Sequence, residues 1–361
     1  MKTSQIALRA PAALLLALLA ACSAPLPAPV QAPQVKPPAA PPALALPTAA
    51  PALPTGVPAL PTLAPAPVLP TAVPPLIAAD QRLFDGRVDI GGRSLALTCH
   101  GTGEPAALYE QGLLEYTGGG ETWLSFNPEQ MKVTRTCSYL RANALDNAFA
   151  TSDAKSDPVA ARRTALDQVE DARLMMKAAG LKPPFILVSS GYGAMIDVLY
   201  AAKYPREVAG LILIEPDGPG LYQNMAKLAP AKTEEESLWV TLYRAFWENR
   251  AQARFVSPSL KADEMIDVPA SEALLTGVKT LGELPVVILH RKERGVLAVY
   301  PEGRPPEPDY FPRMTAAWRA GIAFYEKLSS KTTVVELDGT FFPEFRPALI
   351  DALKKMGATP R

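Results

Sequence analysis

Acid is missing from the start of this chain. No Asp or Glu occurs before Asp80, so all 36 acidic residues of the 361 fall after position 79. Histidine and cysteine are scarce, at two and three. That scarcity excludes zinc fingers and multi-histidine metal centres, and neither a metal nor a cofactor is expected. The N-terminal apolar run, residues 12–21, is too short to span a bilayer as a helix. Residues 80–361 also lack any excess of basic charge: 36 − 3 = 33 Lys and Arg stand against 36 acids, a net of about −3. Without basic clusters, nucleic acid is excluded as the main partner.

Proline, by contrast, is concentrated. Of 39 prolines, 18 lie between Pro25 and Pro75, among Ala, Leu, Thr and Val. Proline fixes φ and removes a donor, so residues 22–79 read as a polyproline II or disordered tether with a reach of at most about 170 Å. Before it, Lys2 and Arg9 precede the apolar run as the charged start of a signal peptide covering residues 1–21. The run ends in Leu19-Ala20-Ala21-Cys22-Ser23, which resembles the bacterial lipobox. The resemblance implies a lipid on Cys22, membrane anchoring through it, and an extracytoplasmic place in a bacterial cell envelope. An ordinary secretory signal with a chance cysteine is the alternative.

From about residue 82 the pattern changes. Apolar, β-rich runs at 82–90, 94–99, 106–110, 133–140, 185–189, 210–215, 285–290 and 332–337 alternate with helical patterns at 157–179, 193–203, 233–249, 312–329 and 347–356. Alternation of this kind predicts one α/β domain, residues 80–361, with a mostly parallel eight-stranded sheet covered by helices on both faces. Gly180 and Pro183-Pro184 close the first long helix.

The segment at 185–203 carries the most information. A buried strand, Phe185-Ile186-Leu187-Val188, runs into Ser189-Ser190-Gly191-Tyr192-Gly193-Ala194 and then a helix. This resembles the strand–turn–helix nucleophile elbow, G-x-S-x-G, of the α/β-hydrolase superfamily. The runs at 99–105, 137–143, 181–188 and 200–210 resemble a secreted bacterial branch of the same superfamily. The resemblance spans about residues 90–356 and implies the α/β-hydrolase fold, with residues 218–283 as a helical cap bearing Trp239, Tyr243, Phe246 and Trp247. Aromatic residues at that spacing read as cap core before they read as a ligand cage.

The same resemblance exposes what is missing. The nucleophile position holds Gly191, and the histidine position after the last strand falls on Thr340. Nucleophile and base must share a proton, so losing both removes the family chemistry. Glu215 is a candidate remnant acid, and Glu293 lies in the loop where many relatives carry theirs. His100 should sit at the wrong end of the sheet; His290 should reach the active rim and line a cleft with Leu113, Ser190 and Tyr192. Ser189 and Ser190 are weak candidates for a displaced nucleophile. The Leu113 and Tyr192 amides retain the place of an oxyanion pair, and Arg141 reads as a residue that holds the adjoining loop. The family's strand order makes the second and fourth strands neighbours, which implies a Cys99–Cys137 disulfide. The expected function is a non-catalytic pseudo-hydrolase that binds a small molecule or an envelope protein. An active ester or amide hydrolase with displaced groups and a structural envelope protein are the alternatives.

Overall fold

A computed structural model describes residues 76–78, 80–113, 128–144, 155–228, 241, 244–245, 247–248, 251, 256–257, 262–292, 309–338 and 345–360. The chain divides into two units, Met1–Val68 and Leu69–Arg361, and every described residue belongs to the second. Cys22, Thr340, Glu293, Trp239, Tyr243 and Phe246 lie outside the described residues.

Eight strands form one sheet: β1 (Leu83–Asp89), β2 (Ser94–His100), β3 (Ala107–Glu110), β4 (Thr136–Tyr139), β5 (Phe185–Ser190), β6 (Val208–Ile214), β7 (Val286–Arg291) and β8 (Thr332–Leu337). Their order is β1-β2-β4-β3-β5-β6-β7-β8. β2 is antiparallel to both β1 and β4, and all remaining pairs are parallel. One reversed strand in that order is the α/β-hydrolase fold, as the sequence implied.

The central strands β3, β4 and β5 are buried throughout because both faces of the sheet are covered. Along β5, Phe185 and Leu187 enter the larger core cluster, and Ile186 and Val188 enter the other. The first face is closed by α1 (Ala165–Ala179), α2 (Gly193–Lys203) and α5 (Tyr310–Glu326), through residues such as Val169, Met175, Val198, Trp318 and Tyr325. The second is closed by α6 (Phe345–Lys355), through Phe345, Leu349 and Leu353. Between β6 and β7 the described part of the insertion holds α3 (Leu221–Leu228), a two-stranded hairpin (Val256–Ser257 with Ala262–Asp263) and α4 (Val268–Gly277). Trp247 is buried there beside Tyr222, with ring centroids 6.3 Å apart.

Two boundaries differ from expectation. α1 starts at Ala165, not near 157, because Thr164 and Asp167 form a reciprocal capping box. Upstream of it, Asp157 and Ser156 accept the Ser94 and Ala96 amides and hold the chain against β2. The folded unit also takes in Ile77, which is 2% exposed and donates its amide to the Ala179 carbonyl, N-terminal to residue 80. Cys99 and Cys137 face each other across β2 and β4 and are disulfide-bonded. Among the described residues no helix is long and apolar enough to cross a membrane.

Candidate functional site

The parallel strands end on a common rim, where β5 turns into α2. Gly191 stands at the vertex with φ of 49°, a left-handed conformation in which glycine carries no Cβ penalty. Its amide donates to Ile214, and its carbonyl accepts the amides of Ala194 and Asp217. Gly193 then allows α2 to close on β3: a Cβ there would lie 2.5 Å from the Glu110 carbonyl oxygen. The backbone of a nucleophile elbow is therefore complete, and its vertex has no side chain.

The two serines before the vertex lie on opposite faces of β5. Ser189 is 2% exposed and lies beneath α2 beside the Asp197 carboxyl. Ser190 turns to the other side of the strand, where its Oγ accepts the Gly112 amide at 3.3 Å. Burial, reinforced by the neighbouring Glu110, holds Asp197 well above the usual carboxylate range.

The histidines are placed by strand register. His100 pairs with Thr136, the first residue of β4, so it sits at the opposite end of the sheet from the rim. Ser190, Ile214 and Leu289 share one row across β5, β6 and β7. Gly191, Glu215 and His290 are each one residue further along. His290 is thus two strands from the elbow, roughly 10 Å at the usual strand spacing, well beyond hydrogen-bond reach of a nucleophile at 191. Its Nδ1 lies 2.9 Å from the Arg291 carbonyl oxygen, and its Nε2 lies 3.7 Å from Glu336 on β8, on the side away from the elbow.

Glu215 is also engaged. It too has positive φ, 48°, and its carboxylate accepts the Arg291 amide at 2.6 Å with Arg291 Nε at 3.2 Å. It ties the ends of β6 and β7 together.

The loop after β3 is held from behind by Arg141, 2% exposed. One guanidinium nitrogen, Nη1, donates to Glu110 at 2.7 Å and to the Gln111 carbonyl; Nη2 donates to the Gly112 carbonyl at 2.8 Å and to Glu264 at 2.9 Å. In a trans peptide the carbonyl and the next amide point in opposite directions. Fixing the 111 and 112 carbonyls on Arg141 therefore turns the amides of Gly112 and Leu113 away from it, and that of Gly112 meets Ser190. Tyr192 opens α2 on the other side of the elbow. Leu113 and Tyr192 thus lie on either side of the elbow, in the loop after β3 and at the start of α2. Burial raises Glu110 despite Arg141, and raises the Tyr139 phenol that bonds it.

Leu113, Ser190, Gly191, Tyr192, Glu215 and His290 all fall at the rim ends of β3, β5, β6 and β7. Sequence reasoning missed Glu110, Glu264, Asp197 and Ser271. A lone acid closing the apolar strand 107–110 was the one available signal, for Glu110. Among the described residues, no group of three or more His, Cys, Asp or Glu is placed to hold a metal ion.

No family model matches the chain. Over 62 residues it is 42% identical to the uncharacterized protein YqjL of Bacillus subtilis (strain 168), which is 17% of this chain and 24% of that protein. The chain thus spans about a quarter of the length of that relative. Among solved structures it is similar to alpha/beta hydrolase domain-containing protein 10 from mouse, at 14% identity and a TM-score of 0.49 over 76% of this chain and 98% of that one. It is similar to Cfl2 from Burkholderia cenocepacia at 16% and 0.49 over 78% and 97%. A thermophilic esterase from Thermogutta terrifontis gives 16% and 0.43 over 76% and 97%. The fold itself rests on the strand order.

Proposed function

We propose that this α/β-hydrolase fold is a pseudo-hydrolase, a lipid-anchored extracytoplasmic protein that binds a small molecule or envelope partner without cleaving it. The observation that carries the reading is Gly191 at the elbow vertex. The histidine count supports it: the chain has only two, one at the far end of the sheet and one two strands from the elbow. The Leu113 and Tyr192 peptides beside the elbow are the place for a carbonyl or carboxylate oxygen of the ligand. The lipobox-like Cys22 supports the anchor, and the Cys99–Cys137 disulfide agrees with an oxidising, extracytoplasmic compartment.

The test is turnover and labelling of the natural protein. p-Nitrophenyl butyrate should be hydrolysed near background, without a burst, and a fluorophosphonate probe should leave the protein unlabelled. Saturable hydrolysis abolished by Ser190→Ala would overturn the reading in favour of a displaced nucleophile.

A further inference from the structure

The insertion between β6 and β7 reaches back to both halves of the amide pair. Residues 264–271 form a strap that leads into the first turn of α4 and is buried at Glu264, Ile266, Val268 and Ser271. At its start, buried Glu264 bonds Arg141, the residue behind the Leu113 peptide. Met265, with φ of 54°, bends the chain, and its carbonyl accepts the Arg163 amide. The Asp267 amide returns to the Arg163 carbonyl, both bonds being 2.8 Å. At the strap's end Ser271 Oγ lies 3.2 Å from the Tyr192 hydroxyl, accepts the Ala165 amide at 2.8 Å and donates to the Asp267 carbonyl. The Tyr192 hydroxyl also lies 3.0 Å from Gln168 Oε1, and its single proton goes either there or to Ser271. One short segment therefore has a side chain on the support of each donor.

We propose that the strap 264–271 is the positioning element of the ligand site. Glu264 acting through Arg141 aims the Leu113 amide, Ser271 acting through Tyr192 steadies the second donor, and docking of the insertion sets both at once. The proposal rests on the reading that this cleft binds a ligand, and it deepens that reading by placing the control of the site in the insertion. Arg141 without Glu264 keeps Glu110 but loses the bond that holds Nη2 next to the Gly112 carbonyl. The bonds to the 111 and 112 carbonyls remain, but the guanidinium that makes them is fixed at one end only, and the loop 111–113 gains motion.

Backbone 15N relaxation on the full chain tests this. Glu264→Gln should lower the order parameters of the 112 and 113 amides from about 0.85 toward 0.6, and Ser271→Ala should do the same at 192. Amides 186–188 within β5 should keep their values in both variants, and Asp351→Asn on α6 should change none of these positions. Where Glu264→Gln does not fold, Glu264→Asp, which withdraws the carboxylate by one methylene, gives the same readout. Unchanged order at 112, 113 and 192 in folded variants, or an equal loss throughout β5, overturns the proposal. Relaxation needs no ligand. The binding reading is tested apart from it, by a butyrate titration followed at amides 113 and 192 of the unmodified chain.

Discussion

Two buried acids sit close to the elbow, and they differ in what surrounds them. Glu110 shares Arg141 and Tyr139, whereas Asp197 has another acid as its charged neighbour. A folded-state pKa held above the unfolded value means that the native state binds a proton the unfolded chain releases. The stability this confers is complete below the unfolded Asp value of about 3.9 and is lost as pH rises toward the folded value. Asp197 therefore costs stability at neutral pH. Asp197→Asn should raise the melting temperature at pH 7–8, and the gain should vanish as pH falls toward 4; a loss at neutral pH would show that the carboxylate is favourably bound. At this scale the sequence was legible where a position is read by its spacing. Gly191 and Gly193 followed from the elbow pattern, and Ser189 and Ser190 from the alternation of a strand. Arg141's carboxylates were not legible, because they lie 31 and 123 residues away and nothing local encodes such a pairing.

The elements were more legible than their edges. Each of the eight sheet strands was signalled by a β-rich run, most plainly at β5 and β6, where burial on both faces calls for apolar residues along most of the strand, and least at the part-exposed edge strands β1 and β8. Boundaries failed where a single contact decides them, as where the Thr164 box delays α1 by about two turns. In the insertion, α4 was hidden in a stretch read only as helical cap, although Asp267 and Pro269 mark its start. The disulfide belongs to this scale because it joins two strands that are also hydrogen-bonded neighbours. A sequence separation of 38 residues corresponds to roughly 3–4 kcal/mol on the chain-entropy estimate. Cys99→Ala with Cys137→Ala should lower unfolding stability by that amount in urea titration without changing the strand order. A loss under 1 kcal/mol would mean that the unfolded chain is already compact in that region.

For the whole molecule, the reading joins a folded unit to an N-terminal segment of different composition. Anchoring through Cys22 predicts that Cys22→Ser moves the protein from the membrane fraction to the soluble one or blocks its maturation, because no other hydrophobic attachment is proposed. Unchanged partitioning and processing in that variant would remove the lipid from the account while leaving the fold and the cleft as they are.

The position of the disulfide has a mechanical consequence. β1 lies at the edge of the sheet and joins it only through β2, so a pull on the N-terminal side loads that antiparallel pair one rung at a time, like a zipper. Unzipping can free β1 and then most of β2, but it meets a covalent rivet at Cys99. Residues 100–136 are shunted out of the load path by the Cys99–Cys137 bond, which withholds up to about 130 Å of extensible chain. Force arriving from that side bypasses β3 and passes into β4.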